Sequence, residues 1–491
     1  MMNKRMNSAL MVLLACFVPH SLTGTELSKY IHIGQQEQLF LDNDLVEQTE
    51  NIIRQINQVE KHPGGPIVQP DKPWEGNIVL LFGTVMLDHE DELYKMWYYS
   101  SGDVGYATSH DGVHWKKPEL GIVVRDGQNT NLVIERGNFG HFYEFCGVVK
   151  DPKDPDPNRR YKAGFVSIQR DYHGEHEAPY HRGQRRGLGT AVSPDGIHWT
   201  LEKNFASYEI FDISRFFWDE RVDRFVLFGR NKLTTEKTKD RWKKYGWGRA
   251  VTRIESRDFE NWTKEELVLA ADARDPEGTE IYSMSVFPYG DLYIGCVQMF
   301  YGLPDQGNLD IQLAVSRNGM DFSRVEPREP FIPQGDIGTW DRFNISLGNL
   351  APVSVGDEHW FYYSGRTYRH SPYKGKDTGP FYGAIGLAKI KRGRFVSLQA
   401  SYDGGSIMTK PLRFNGSQLF VNGNARFGSI EITIFNQKGE PLPGFYTMIS
   451  GKDHIEIPVV FENANLDDID EKAVKIQFKL VNAQLFGFQF R

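Results

Sequence analysis

The sequence has 491 residues, 40% of them hydrophobic, 25% charged and 13% aromatic, with a formal net charge of −7. At ~100–200 residues per domain this is room for two or three domains, one of which can be a large β domain. The apolar and aromatic content excludes intrinsic disorder, coiled coil and collagen-like repeats. An acidic total also argues against general affinity for nucleic acid or anionic membranes, both of which attract basic surfaces.

Taken in chain order, the first segment reads as an address. Lys4 and Arg5 precede an apolar run from Ala9 to Val18 and a polar exit at Ser21–Gly24. The run is shorter than the ~20 residues that span a bilayer, so residues 1–24 are predicted to be a signal peptide and the protein to be exported. Leu13-Leu14-Ala15-Cys16 resembles a bacterial lipobox, which would make Cys16 a lipid anchor. No later segment reads as a transmembrane helix. The other two cysteines, Cys146 and Cys296, sit in apolar strand-like runs and are expected as buried free thiols.

Short alternating or fully apolar runs bounded by Gly, Asp and Pro dominate the remainder, which is the pattern of an all-β chain. One turn motif recurs at Ser109–Trp115, Ser193–Trp199, Ser256–Trp262 and Ser316–Phe322, with spacings of 84, 63 and 60 residues. A fifth, degenerate copy lies at IGLAKIKRGRF (385–395). Two further strands precede every copy, as in LYKMWYYS (93–100), RYKAGFVS (160–167), RFVLFGR (224–230), LYIGCVQMF (292–300) and HWFYYSGR (359–366). Five such units predict a five-bladed β-propeller over residues 71–400. The Asp-Gly turns are read as structural, with the Trp packing between blades. Past residue 400 the alternation of Ile430, Ile432 and Ile434, and of Val474, Ile476, Phe478 and Leu480, predicts a C-terminal antiparallel β-sandwich over 401–491. Residues 25–70 are expected to add an edge strand and a leading loop.

Propeller topology gathers the segments leading into the inner strands, together with the loops between second and third strands, at one face. Each leading segment carries an acid: Glu75, Glu144, Asp212, Glu280 and Asp341. Glycoside hydrolysis needs one carboxylic acid to protonate the leaving oxygen and a second carboxylate as nucleophile or as base on water. These five are therefore the candidate catalytic residues, although an acid before a strand also caps turns. The loops at the same face are basic. Residues 170–187 carry a net charge of +1, residues 230–249 +6 and residues 366–382 +3, about +10 in a chain of net −7. Arg230, Arg366, Arg369, His173, His176, His370 and Trp247 are the candidate substrate-binding residues. Guanidinium groups suit carboxylate or sulfate, and the aromatic residues suit sugar rings, so the expected partner is an anionic oligosaccharide. The same Tyr, His and Arg richness admits an alternative: elimination beside a uronate, with Tyr or His as base and acid and Arg neutralising the carboxylate. Tyr143, Tyr172, His173, His176, Tyr180, His181, Tyr368 and His370 are candidates for it, and a non-catalytic sugar-binding propeller is the third reading.

No cofactor or metal is expected. Asp151, Asp154 and Asp156 have calcium-like spacing but read as a Pro-rich hairpin turn on the opposite face. No HExxH, CxxC, P-loop, GxSxG elbow or dinucleotide fingerprint occurs.

The segments YATSHDGVHWKKPELG, DPDPNRRYKAGF and GTEIYSMSVFPYGDLYIG resemble those of exported bacterial glycoside-hydrolase-like propeller proteins, distantly similar to glycosidase families 32 and 43. The resemblance covers roughly residues 36–491, sandwich included. It implies three acids leading into inner strands, which fall on Glu75, Glu144 and either Asp212 or Glu280. The WMNDPNG, RDP and EC motifs of those families are absent here, so their particular substrates do not carry over. Other propeller enzymes of algal polysaccharide breakdown work by elimination, which the basic loops also suit.

Overall fold

The computed structural model describes residues 30–176, 183–208, 212–232, 248–302, 307–349, 352–370, 382–469 and 473–491. The predicted signal segment with Cys16, the middle of the 230–249 loop with Trp247, and most of the 366–382 loop lie outside these residues.

Three four-stranded antiparallel sheets and one nine-stranded sheet, in which two further antiparallel units are joined by a parallel bridge between Leu309 and Asn344, make five successive blades. Blade 1 is Val79–Asp88, Leu93–Ser100, Asp103–Ser109 and Leu132–Ile134. Blade 2 is Phe142–Lys150, Tyr161–Arg170, Gln184–Ser193 and Thr200–Ser207. Blade 3 is Asp212–Asp219, Arg224–Lys232, Arg249–Ser256 and Glu266–Ala270. Blade 4 is Thr279–Tyr289, Leu292–Tyr301, Asn308–Ser316 and Ser323–Arg324. Blade 5 is Asn344–Leu347, Glu358–Arg366 and Gly383–Lys391, completed by Glu60–Lys61 from far upstream. The ring closes where Asn349, beyond the inner strand of blade 5, bridges Thr84 in that of blade 1.

The repeated turns explain why the sequence repeats. In the first, the Gly112 amide donates to Ser109 Oγ at 2.9 Å, and the Val113 and His114 amides donate to Asp111 Oδ1 at 2.9 and 2.8 Å. The Asp195, Asp258 and Asn318 copies make the same contacts at 2.8–2.9 Å. The third position of the turn needs φ near +70°, which glycine adopts without steric cost. Gly112, Gly196 and Gly319 fill it in three copies, and Phe259 holds φ 65° in the other. Phe259 is repaid by core packing against Phe216, Phe225 and Trp262. Two of the turns also lock neighbouring blades: Trp97 Nε1 donates to Gly196 O at 2.6 Å, and the Tyr362 hydroxyl donates to Gly112 O at 2.9 Å.

The division of the chain differs from the sequence-based boundaries. Residues 25–70 do supply the edge strand of blade 5, but Ile31–His32, Gln38–Leu39, Val46–Glu50 and Ile53–Ile56 belong to the sandwich. The sandwich also begins earlier than residue 401, at Val396–Ala400, whose strand pairs with both Ile53–Ile56 and Ala483–Phe490. Its core is the predicted alternation, with Ile430, Ile432, Ile434, Val474, Ile476, Phe478 and Leu480 all buried. Cys146 and Cys296 are buried free thiols. The Asp151–Asp156 acids sit in a turn: Lys162 Nζ donates to Asp151 at 2.8 Å and Asp154 at 2.7 Å, while Asp156 accepts from the Asn158 amide. No helix among the described residues is long and apolar enough to cross a membrane.

The propeller axis is filled midway. Asn349 accepts from the Phe216 amide at 2.6 Å and its own amide donates to Gly83 O at 2.6 Å, tying blades 5, 3 and 1. Thr84 Oγ1 donates to Val148 O at 3.0 Å, and Ser285 Oγ donates to Gly348 O at 2.9 Å. Beyond this layer a cavity of about 490 Å³ opens on the face where the inner strands end, lined by Val85, Val149, Phe217, Phe287 and Val353 among others. The candidate acids lie at the other face, where the inner strands begin.

Candidate active site at the leading face

The five acids before the inner strands divide into two groups. Glu75 and Asp341 are built into the walls. Glu75 is fully buried and accepts four hydrogen bonds: the Asp71 and Lys72 amides at 2.9 and 3.1 Å, the Tyr98 hydroxyl at 2.6 Å and Lys117 Nζ at 2.8 Å. Asp341, 3% exposed, accepts from Lys61 Nζ at 2.6 Å, the Tyr363 hydroxyl at 3.0 Å and Thr339 Oγ1 at 3.0 Å. Tyr98 and Tyr363 are both on second strands, in blades 1 and 5. The same carboxylate, tyrosine and lysine latch is thus built twice, on either side of the ring closure. A carboxylate so saturated has little capacity left for a substrate, and we assign both to holding their loops.

Glu144, Asp212 and Glu280 lead blades 2, 3 and 4. Glu144 is half-buried near the Tyr99 hydroxyl, which is pushed above its ordinary pKa by burial and then by the Glu144 charge, with Arg136 and Arg366 opposing. Asp212 stands opposite Arg230 in the blade 3 ladder. Glu280 is buried and forms an ion pair with Arg249, whose amide also donates to Glu280 Oε1 at 3.3 Å.

Between these acids lies an aromatic and cationic cluster. The Tyr282 hydroxyl is 2.6 Å from His370 Nε2. The guanidinium of Arg230 lies 4.3 Å from the Tyr282 ring centre and that of Arg249 lies 5.2 Å from it. Phe300 packs beneath, against both Tyr282 and His370. Toward blade 1, Arg366 is 5.4 Å from the Phe82 ring and 5.7 Å from Tyr368, and Arg369 lies over Phe343 at 5.5 Å. Guanidinium groups stacked on aromatic faces suit recognition of an anionic group on a flat ring.

His173 and His176 lie apart from this cluster. His176 stacks on Tyr208 at 3.9 Å, just past the outermost strand of blade 2, and Arg185 packs on Tyr172 and Phe205 beside it. Tyr282, Tyr99, Arg136 and Arg249 are the site residues not singled out from sequence. Arg249 was counted only as loop charge. For Tyr282 the available signal was its place two residues after a leading acid, in TEIY.

No protein-family model and no curated protein matches this sequence. Solved structures that resemble the chain in shape include glycoside hydrolases. A fructofuranosidase from Schwanniomyces occidentalis complexed with fructosylnystose is 13% identical, with 88% of this chain and 98% of that one covered and a TM-score of 0.41. A thermostable family-43 glycoside hydrolase is 13% identical over 67% of this chain and 91% of that one, with a TM-score of 0.42. The endo-arabinase from Bacteroides thetaiotaomicron is 11% identical over 65% of this chain and 96% of that one, with a TM-score of 0.41.

Proposed function

We propose that the protein is an exported carbohydrate-active enzyme, a glycoside hydrolase acting on uronate- or sulfate-bearing oligosaccharides. The observation that supports this reading is the set of guanidinium-capped aromatic rings beside the segments that lead blades 2, 3 and 4. Glu75 and Asp341 are consumed by lysine and tyrosine latches, while Glu144, Asp212 and Glu280 lead three successive blades beside these rings. In this reading one of the three protonates the glycosidic oxygen as the bond to the anomeric carbon breaks. A second attacks that carbon or takes a proton from the attacking water. Arg230, Arg249 and Arg366 bind the anionic substituent, and Tyr282 and Phe82 present ring faces to the sugar.

A second reading rests on one contact, the short Tyr282–His370 hydrogen bond under two arginines. A tyrosine held by a histidine beside cationic groups is the apparatus for removing the proton next to a uronate carboxylate. Incubating the protein with acidic plant and algal oligosaccharides distinguishes the two. Hydrolysis releases reducing ends without absorbance near 235 nm. Elimination produces that absorbance with each cleavage and would replace the hydrolase reading.

A further inference from the structure

The sandwich and the propeller meet around a second cavity, of about 220 Å³. Tyr289 ends the inner strand of blade 4 and Arg392 follows the third strand of blade 5, so this cavity is on the side where inner strands end, away from the candidate active site. The sandwich side contributes Glu37, Phe420, Asn422 and Glu456. Direct contacts between the two parts fix its walls. Gln38 Nε2 donates to Asp291 at 2.6 Å, and Arg394 donates from Nε to Asn422 at 3.0 Å and from Nη1 to Asp453 at 2.6 Å. Gly290 and Gly393 hold φ 53° and 74°, and a Cβ on either would lie 2.4 Å from an oxygen of Glu37. Glycine is thus what lets both propeller turns close on Glu37.

Two charged groups in this cavity have hydrogen-bonding capacity to spare. Glu37 is half-buried; its Oε2 accepts from the Tyr289 hydroxyl at 2.7 Å and its Oε1 accepts from Asn422 Nδ2 at 3.0 Å. One bond to each oxygen leaves each a further lone pair. Asn422 Nδ2 also donates to Arg392 O at 2.9 Å, which joins the two segments. Arg392 Nε is buried with no hydrogen-bond partner among the described residues, and the guanidinium is 3.7 Å from Asp357. Buried donors are normally satisfied. The other ion pair is closed: Arg491 meets Glu456 at 2.5 Å, with its guanidinium 5.0 Å from the Phe420 ring. Two acids and two arginines give this lining no net charge, unlike the basic loops at the leading face.

We propose that this cavity is a second carbohydrate site, taking one uncharged sugar ring: Glu37 accepts from one hydroxyl and Arg392 donates to its neighbour, with Phe420 and Tyr289 beside the ring. A sugar hydroxyl both donates and accepts, so a carboxylate and a guanidinium engage adjacent hydroxyls without any charge on the ligand. The volume is below the roughly 300–1,000 Å³ of sites for drug-sized molecules, which favours a single unit over a length of chain. The site does not depend on the hydrolase reading and needs no catalysis.

The test is titration of the full chain with the methyl glycosides of galactose, glucose, mannose, xylose and arabinose, followed by calorimetry and by saturation-transfer NMR. At least one should bind with a Kd of about 1 mM or below. Arg392→Gln and Glu37→Gln should each weaken that binding by about tenfold or more, whereas Arg366→Ala at the leading face should leave it unchanged. Binding by none of the five overturns the proposal, as does binding that Arg366→Ala abolishes and Arg392→Gln spares. Tighter binding of the galacturonic acid counterpart, lost in Arg392→Gln, overturns the uncharged ligand. If Glu37→Gln does not fold, Arg392→Gln, in a side chain that is partly exposed, decides alone. A protein that cleaves no oligosaccharide yet binds here refutes the hydrolase reading and keeps this site; cleavage without such binding does the reverse.

Discussion

The Tyr98 hydroxyl donates to Glu75 at 2.6 Å in the wall of blade 1, and the Tyr363 hydroxyl donates to Asp341 at 3.0 Å in the wall of blade 5. Each pair adds a lysine, Lys117 in one and Lys61 in the other. The two latches face each other across the seam where the last blade meets the first, and they fix the loops that lead into those blades. Removing a hydrogen bond to a buried charged group costs about 1.5–3 kcal/mol. Tyr98→Phe should therefore lower the thermal midpoint while leaving kcat per folded molecule unchanged. A variant with wild-type stability would show that the latch contributes nothing.

Asp310 in blade 4 is buried, and its pKa is pushed up to about 7 by burial, against the Tyr301 hydrogen bond at 3.1 Å and the Arg324 charge. Its folded value lies above the unfolded one, so the native state binds the extra proton. Its contribution is fully present below about pH 4 and is lost as pH rises to about 7. Asp310→Asn mimics the protonated form and should gain stability relative to wild type as pH rises, by on the order of a few kcal/mol at pH 8. Chemical denaturation at pH 5 and pH 8 measures this. An equal effect at both values would contradict it.

His359, 3% exposed against Tyr289 and Phe395, has its pKa lowered to about 4 by burial and then by Arg392. Here the unfolded state binds the extra proton, so stability falls as pH drops from about 6.5 to 4. His359→Phe should flatten that limb of the stability profile. Asp88 steepens it further down: it accepts from Lys95, Lys150 and Tyr161 at 2.6–2.8 Å, and these bonds hold its carboxyl well below the usual range against the opposing effect of burial. Its contribution is present above pH 3.8 and is lost below it. Melting curves for wild type and His359→Phe between pH 4 and 7 should diverge steadily toward the acid end.

Arg366 and Arg230 carry the electrostatic part of the proposed binding. Replacing either with Ala should weaken affinity for an acidic oligosaccharide by about tenfold or more, since a charge-assisted contact is worth about 1.5–3 kcal/mol. Affinity for the desulfated or neutral analogue should change little. Calorimetry with the paired ligands separates these outcomes, and equal losses for both would remove the anionic substrate.

The repeating part of the fold was legible because its turns are written locally: Ser109, Asp111 and Gly112 contact one another within four residues, and so do their copies. The strands at Ile31–His32 and Ile53–Ile56 were not, because their identity depends on partners near residues 412 and 398, more than 340 positions away. The site shows the same limit. Position alone nominated all five acids. Whether an acid meets a lysine latch, as Glu75 does, depends on side chains such as Tyr98 and Lys117 that no spacing connects to it.

The most direct measurement of the central claim is kcat for Glu144→Gln and Glu280→Gln on an acidic oligosaccharide, with Tyr98→Phe as the folded control. General acid–base and nucleophilic groups contribute about 10²–10⁴-fold. Both carboxamide variants should therefore lose at least about 10²-fold in kcat per folded molecule, and the Tyr98 variant should retain its turnover. Cleavage at wild-type rates by both Glu144→Gln and Glu280→Gln would contradict catalysis by these acids.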